Sequence, residues 1–374
     1  MNRLHFFYFL LIVSLVYFFV HYFVYVRIAN GLALAALYRN YLKIFFVIAG
    51  LSFFVDRFIG RMLLPDPLAF SLSYFGVLWV GIISIAFSIF LIQFWVVLIL
   101  PNHTSIITYM AIFLVLLVSC FSVYIGSMVP RIKRMEIPIE KLSSEFEGFS
   151  VIQLSDLHLH RWISEAWLQA VVEKTNSLDP DLVVITGDLI EESIHRCSKF
   201  IGILKQIQSR YGVLAITGNH EFYTGIKNFA AFSQEANIRV LRNESITVAN
   251  AIEIVGIDDK AGRGFQEIGP DLESAVKGCD FNKPVILLSH RPENFKEAAN
   301  MGVDLQLSGH THAGQIPPMD LIVFLTYKYP YGLYGHNSSF IYTTSGTGIW
   351  GPPMRLFSRS EIVKFVLTKK RPLS

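Results

Sequence analysis

Four long apolar runs in the first 130 residues constrain the fold of this chain more than any other feature. They occupy residues 4–26, 43–64, a stretch within 67–101, and 105–129. Each run can supply the roughly 20 apolar residues with which a helix crosses the hydrocarbon core of a bilayer. We therefore predict an α-helical transmembrane bundle of about four spans.

The balance of charged residues changes near residue 130. Residues 1–135 contain nine Lys or Arg and two Asp or Glu, whereas residues 136–374 contain 23 and 27. Charged residues make up 16% of the chain, whereas soluble domains contain about 25%. The fraction is low because residues 1–135 contain few charged residues. We predict a transmembrane helical region over 1–130, a connector over 131–147 and a globular domain over 148–374. The chain has no basic stripe, which argues against nucleic acid as a partner.

The orientation in the membrane follows from the Lys and Arg residues near the span ends, which favour the cytoplasmic side. With four spans, one side carries six: Arg3, Arg57, Arg61, Arg131, Lys133 and Arg134. The other side carries three: Arg27, Arg39 and Lys43. We predict a multi-pass protein of the inner or plasma membrane with the globular domain in the cytoplasm. A passive tether is favoured over a transport role, because Asp56 and Arg57 are the only charges near a span interior.

In the second part of the chain, short apolar strands each end in polar residues. The predicted strands are 151–154, 182–186, 213–217, 285–288 and 305–308. Helical patterns lie between the early strands, and one of them begins at Ser164, a residue suited to capping a helix. Strands that alternate with helices indicate an α/β domain. Ligands of such sheets bind at the carboxyl ends of strands, where the polar clusters fall.

The residues at these strand ends are of types that bind divalent metals. They are Asp156, His158, Asp188, Asn219, His290, His310 and His312. Carboxylate, imidazole and amide oxygen are ligands for Mn, Fe or Zn. Taken alone, His290 or Asn219 would more often be the capped end of a strand. Taken together, the five clusters predict a metal site.

The motifs Asp156-x-His158, Gly187-Asp188, Gly218-Asn219-His220-Glu221, His290 and Gly309-His310-x-His312 resemble the signature of the calcineurin-like metallophosphoesterase superfamily. The resemblance covers about residues 148–367 and implies a four-layer α/β/β/α sandwich. Two further stretches, 310–315 and 350–355, are similar to the branch of transmembrane or membrane-associated bacterial phosphoesterases. That branch includes enzymes similar to UDP-2,3-diacylglucosamine pyrophosphatases. Ala313 departs from it, because a second glycine is usual there.

The resemblance also implies roles for individual residues. One divalent cation would be held by Asp156, His158, Asp188 and His312, and a second by Asp188, Asn219, His290 and His310, so that Asp188 bridges them. The cations would be Mn²⁺, Fe²⁺/Fe³⁺ or Zn²⁺. His220 would act on the leaving group or stabilise the transition state. Arg355 would bind substrate phosphate, and its alternative is a surface ion pair.

Residues 317–335 form a largely apolar segment soon after His312. Such a segment can be buried core, or it can admit an acyl chain or contact the bilayer. We predict a membrane-anchored, binuclear-metal hydrolase of phosphate esters or anhydrides, acting on a lipid-linked phosphodiester or pyrophosphate. One alternative is a tethered phosphatase of soluble nucleotide or protein substrates. Another is a non-catalytic membrane scaffold.

Overall fold

A computed structural model describes residues 3–55 and 66–369 of the chain. Two compact units make up the structure, and each contains more than one stretch of the chain. The helical unit comprises Met1–Ser127, Gln315–Leu321 and Gly351–Phe357. The sheet unit comprises Met128–Gly314, Ile322–Trp350 and Ser358–Ser374. Asp56, Arg57 and Arg61, which were used to predict the role and orientation of the spans, lie outside the described residues.

The helical unit contains the predicted spans. Its long helices are α1 (Arg3–Gly31), α2 (Ala36–Val55), α3 (Asp66–Ile99) and α4 (Thr104–Ser127). Among the described residues, these four are long and apolar enough to cross a membrane. The prediction of four apolar helices is therefore confirmed. Helix α2 begins seven residues before the predicted run, because the charged residue Arg39 interrupts the apolar pattern in its first turn.

Side chains within the helical unit pack around an aromatic and aliphatic core that includes Phe46, Trp79 and Phe90. Large apolar side chains elsewhere on the helices, such as those of Phe113 and Leu116, are exposed, as expected of a surface in contact with lipid. One network of polar side chains joins three of the helices. Arg27 donates to Gln93 Oε1, and the Gln93 amide donates to Thr108 Oγ1 at 2.9 Å.

Two segments from late in the chain belong to the helical unit. Ile316 and Met354 are buried against Ile85 of α3. Ser84 Oγ of the same helix donates to the carbonyl of Pro317 at 2.7 Å. These segments therefore take part in the core of the helical unit, although residues 128–314 separate them from α4 in the sequence.

The strands of the sheet unit form two six-stranded sheets within the described part of the chain. They are β1 (Arg131–Ile139), β2 (Ser150–Leu154), β3 (Leu182–Ile185), β4 (Val213–Ala215), β5 (Ile238–Val240), β6 (Glu244–Val248), β7 (Ile252–Gly256), β8 (Val285–Leu288), β9 (Leu305–Ser308), β10 (Gly332–His336), β11 (Ser339–Thr343) and β12 (Glu361–Lys369). The first sheet has the order β1-β12-β2-β3-β4-β5, and the second has the order β10-β11-β9-β8-β7-β6.

Short α-helices lie between strands of the sheet unit along the chain. They are α5 (Glu165–Asn176), α6 (Ile194–Cys197), α7 (Ile201–Leu204), α8 (Asn219–Thr224), α9 (Ile226–Glu235), α10 (Leu272–Val276), α11 (Phe295–Asn300) and α12 (Met319–Thr326), the last of which begins in the helical unit. Helix α5 follows Ser164, whose hydroxyl accepts the Trp167 N–H at 3.1 Å, as predicted.

The core of the sheet unit lies in layers. Val184 and Leu214 of the first sheet share one buried cluster with Ile286 and Leu307 of the second. Helix α5 packs on the outer face of the first sheet, and α10 and α11 pack on that of the second. The predicted four-layer α/β/β/α sandwich is therefore confirmed.

The stretch predicted as a connector, 131–147, includes strand β1. This strand pairs in parallel with β12, with Arg131 opposite Glu361. Basic residues such as those at the start of β1 are typical of the end of a membrane span. For this reason the sequence pattern did not indicate a strand here. Burial alternates along the strand and becomes complete at Ile137 and Ile139, as expected for an edge strand with one face on the core.

Candidate metal centre

The predicted ligands lie at the carboxyl ends of β2, β3, β4, β8 and β9. Five of them have left-handed backbone conformations: Asp156, His158, Asp188, His310 and His312, with φ between 46° and 71°. Residues other than glycine rarely adopt this conformation, and where they do it often marks a functional site. Gly187 has a φ of 89°, and a Cβ there would lie 2.6 Å from His290 Nδ1. A glycine is therefore required beside Asp188.

One group of ligating atoms is formed by Asp156, His158 and His312, and these atoms all lie within 4.8 Å of one another. The Nε2 atoms of His158 and His312 are 3.1 Å apart. His312 Nε2 lies 3.5 Å from Asp156 Oδ1. All three residues are buried. This set matches three of the four residues predicted to hold the first cation.

A second group is formed by Asp188, His290 and His310, again within 4.8 Å. His290 Nε2 lies 3.2 Å from Asp188 Oδ2 and 3.2 Å from His310 Nδ1. The other nitrogen of His290 contacts the carbonyl of Thr186 at 2.8 Å, which orients the ring. Three of the four residues predicted for the second cation are thus together.

Asp188 faces both groups. Its Oδ2 atom lies 3.2 Å from His290 Nε2 and 3.7 Å from His158 Nε2. A carboxylate that bridges two cations must stand in such a position. The donor set of imidazole and carboxylate fits Mn, Fe or Zn, and the candidate site therefore offers two neighbouring groups of ligands.

Asn219 lies at the start of α8 and is buried. Its Oδ1 atom accepts from Arg291 Nη2 at 3.4 Å. Nη1 of the same guanidinium lies 2.6 Å from His310 Nε2. Arg291 thus links the Asn219 side chain to His310 of the second group. The role of Asn219 as a metal ligand stays a prediction.

His220 stands beside the first group. Its ring centroid is 4.8 Å from that of His158, and its Nδ1 is 3.8 Å from Glu191 Oε1. The ligating atoms of His158, Glu191 and His220 also lie within 4.8 Å of one another. The predicted role in catalysis and a role as a ligand are thus both compatible with this geometry, and metal content distinguishes them.

Glu221 is a buried carboxylate that binds the backbone of two loops. It accepts the N–H groups of Asp188 at 2.9 Å and Leu189 at 2.8 Å. It also accepts the N–H of Gly218 at 2.6 Å. The His220 N–H donates to Asp188 Oδ1 at 2.9 Å. The loops that carry Asp188 and His220 are therefore held together by direct hydrogen bonds.

Burial and the charge of Asp188 set the protonation of the imidazoles. Burial lowers the pKa of His158 and of His310 well below the ordinary value, so both rings are neutral, the form that binds metals. Burial alone would raise the pKa of Asp188, but the charge of His290 holds it well below its usual range. Asp188 in turn outweighs burial and raises the pKa of His290 to about 10. A divalent cation bound there would replace the proton of His290.

Three residues near the ligands were missed by the sequence analysis. Glu191 follows Asp188 by three positions, Arg291 follows His290 directly, and Asp259 follows the end of β7. The sequence Gly256-Ile257-Asp258-Asp259 is a further strand end with carboxylates. It would have been found if β7 had been predicted.

Arg355 belongs to the helical unit and is fully buried. Its backbone N–H donates to the carbonyl of Ser122 at 2.9 Å. The alternative of a surface ion pair is wrong, because the side chain is not at the surface. Substrate binding by Arg355 stays a prediction.

The apolar segment 317–335 divides into two parts. Helix α12 exposes most of its large apolar side chains: Met319, Leu321, Ile322, Phe324 and Leu325. Strand β10 is an edge strand of the second sheet, and its residues are partly or fully exposed. The buried-core interpretation therefore does not hold for α12. Tyr327 follows α12 directly, and its hydroxyl lies 3.0 Å from His310 Nε2.

Comparison with known proteins agrees with this geometry. The family described as calcineurin-like phosphoesterase matches residues 149–314. An uncharacterized metallophosphoesterase of Helicobacter pylori is 37% identical over 249 residues, which cover 66% of this chain and 66% of the relative. A transmembrane protein with metallophosphoesterase domain of Danio rerio is 35% identical over 272 residues, or 70% of this chain and 62% of the relative.

The matched region thus spans slightly less than two thirds of those two relatives. An uncharacterized metallophosphoesterase of Aquifex aeolicus is 31% identical over 255 residues, which cover 67% of this chain and 96% of that protein. With the ligand residues gathered as described and a relative matched over nearly its whole length, this chain belongs to the calcineurin-like phosphoesterase family.

Proposed function

We propose that this protein is a membrane-anchored, binuclear-metal hydrolase of phosphate esters or anhydrides. The observation that carries the proposal is the pair of ligand groups that share Asp188. Two divalent cations held there would supply an activated water and would neutralise the charge that develops on a transferring phosphoryl group. Mn²⁺ is the cation that we would test first.

The residues of the chain itself supply proton transfer and orientation. Glu191 Oε1 lies 3.8 Å from His220 Nδ1, which favours a proton on that nitrogen. When both ring nitrogens of His220 carry a proton, the imidazolium can give the Nε2 proton to the leaving oxygen and become neutral, with its remaining proton on Nδ1. General acid catalysis of this kind contributes typically about 10²–10⁴-fold to the rate.

We further propose a lipid-linked phosphodiester or pyrophosphate, such as UDP-2,3-diacylglucosamine, as substrate. Support comes from α12, where the side chain of Leu325 is 78% exposed and that of Leu321 is 61% exposed. The helix ends one residue before Tyr327, which contacts the predicted ligand His310. An exposed apolar surface so close to the ligands suits acyl chains.

The membrane setting of this proposal rests on the four apolar helices. We propose a multi-pass protein of the inner or plasma membrane with its sheet unit in the cytoplasm, on the excess of Lys and Arg at that side of the spans. A substrate that stays in the bilayer would then be within reach of the enzyme.

The test uses the full chain, purified in detergent and reconstituted in lipid nanodiscs. Hydrolysis of bis-p-nitrophenyl phosphate is measured after chelation and again after addition of Mn²⁺. A panel then compares UDP-2,3-diacylglucosamine with the soluble UDP-N-acetylglucosamine, nucleotides and a phosphopeptide. Metal-dependent hydrolysis with preference for the lipid-linked diphosphate is expected.

Each alternative has its own outcome in this panel. Equal or better turnover of soluble nucleotides or the phosphopeptide would favour a tethered phosphatase. Absence of hydrolysis with any substrate and any of Mn²⁺, Fe²⁺ and Zn²⁺ would favour the non-catalytic scaffold.

A further inference from the structure

Arg291 is a cation with contacts to two of the predicted ligands of the second cation. Its Nη1 lies 2.6 Å from His310 Nε2, and its Nη2 lies 3.4 Å from Asn219 Oδ1. Its side chain is 16% exposed, so the guanidinium is largely buried but still accessible to solvent. A guanidinium is always protonated and has no lone pair for a metal. Arg291 therefore brings positive charge to the ligand groups without competing for a cation.

Asp259 holds this guanidinium in one orientation. The Asp259 carboxylate accepts from Arg291 Nε at 2.7 Å and from the Ala261 N–H at 2.8 Å. The Asp259 side chain is 1% exposed, and its backbone N–H donates to Thr217 Oγ1 at 3.0 Å. Arg291 Nε donates to the buried Asp259 carboxylate, and this bond fixes the plane of the guanidinium. Both Nη groups of Arg291 therefore face the predicted ligands His310 and Asn219.

We propose that Arg291 binds the non-bridging phosphate oxygens of the substrate at the second ligand group, and that Asp259 is the residue that positions it. This inference rests on the proposed hydrolase function and adds a residue to it. The planar fork of an arginine matches two oxygens of one phosphate, a geometry that lysine cannot reproduce. The contacts to His310 and Asn219 hold the guanidinium beside the residues predicted to bind the second cation.

A purely structural role for Arg291 makes different predictions. In that case the ion pair with Asp259 would stabilise the loops after β7 and β8, and its loss would lower thermal stability or metal content. A phosphate-binding residue would instead leave both unchanged and weaken the binding of phosphate. The two roles are separated by measurements other than turnover alone.

The experiment compares Arg291→Lys and Arg291→Gln with the wild type, using the full chain in nanodiscs. Lys260→Ala is the matched control, because Lys260 adjoins Asp259 in sequence but its ammonium binds Glu293 at 2.7 Å. Bound metal, the thermal midpoint, kcat and KM for bis-p-nitrophenyl phosphate, and calorimetric binding of inorganic phosphate are measured for each protein.

We expect Arg291→Gln to weaken phosphate binding and raise KM by about 10- to 100-fold, the effect of losing hydrogen bonds to a charged group. Metal content should not change, Arg291→Lys should recover only part of the binding, and Lys260→Ala should match the wild type. Asp259→Asn should reproduce a weaker form of the Arg291→Gln effect.

Unchanged phosphate binding in both Arg291 variants would overturn the inference while leaving the hydrolase intact. Loss of bound metal in Arg291→Lys, which keeps the charge, would overturn it in favour of the structural role. A wild type that hydrolyses no phosphate ester would instead count against the proposed function, which keeps the two failures distinct.

Discussion

The carboxylate of Glu221 accepts the backbone N–H of Asp188 at 2.9 Å, and this contact orients the side chain that faces both ligand groups. Glu221 also accepts the N–H of Gly218, next to the predicted ligand Asn219. One buried carboxylate thus fixes two strand-end loops. Its removal would leave several buried N–H groups unpaired, which is costly.

We therefore predict that Glu221→Gln weakens metal binding about 10- to 100-fold, the usual effect of losing a group that orients a ligand. Glutamine has one acceptor oxygen where glutamate has two, so it cannot accept all these N–H groups. Mn²⁺ affinity is measured by titration of chelated protein. Glu235→Gln, at an exposed position, is the control, and equal affinity in the two variants would argue against the positioning role.

Asp188→Ala and His310→Ala should abolish metal-dependent hydrolysis while the sheet unit stays folded. Removal of Asp188 takes ligands from both groups at once, so Asp188→Ala should lose more bound metal than His310→Ala. Metal is quantified after chelation and readdition of Mn²⁺, and circular dichroism checks the fold. Wild-type turnover in either variant would refute the site.

His220→Ala should lower kcat by about 10²–10⁴-fold, as loss of a general acid does, with metal content close to that of the wild type. The comparison variant is Glu191→Gln, which should lower kcat less because the imidazole remains. Loss of a full equivalent of metal in His220→Ala would identify His220 as a ligand, an outcome compatible with its position beside His158 and Glu191.

A reporter that is active only outside the cytoplasm should give no signal when fused at Ser374. The expectation follows from the excess of Lys and Arg on one side of the spans, including Arg131, Lys133 and Arg134. A second fusion in the loop between α1 and α2 should give a signal. A reversed pattern would show that Arg39 and Lys43 determine the orientation.

Replacing Leu321 and Phe324 with Ser should erase a preference for lipid-linked diphosphate and spare cleavage of bis-p-nitrophenyl phosphate. Each buried CH₂ contributes ~0.8 kcal/mol, so a few methylenes change kcat/KM by more than tenfold. Ile268→Ser, at a side chain that is 75% exposed elsewhere in the sheet unit, is the control. Equal losses on both substrates would indicate that α12 supports the fold instead.

Sequence patterns predict this fold best where a strand runs directly into polar residues. The strands before Asp156, Asp188, Asn219, His290 and His310 were predicted to within about two residues, because a short buried strand is a continuous apolar run. The same pattern predicted which strand ends carry ligand-type residues. Long apolar helices are equally distinctive, and four were predicted and found.

Other features depend on contacts that a local pattern does not contain. Strand β1 was missed because its basic residues resemble the flank of a membrane span. Glu221 was known as a motif residue, but its bonds to the loop of Asp188 arise only when β3 and β4 lie side by side. The approach of Arg291 to His310 likewise joins two loops 19 residues apart.

The burial of Ile316 and Met354 against Ile85 makes the conformation of two late segments of the chain depend on the helices. A polypeptide cut ahead of residue 128 would retain both segments but lose the helices on which they fold. A fragment cut there would expose Ile316 and Met354 to water, so we expect both segments to lose their packed conformation when the helices are removed.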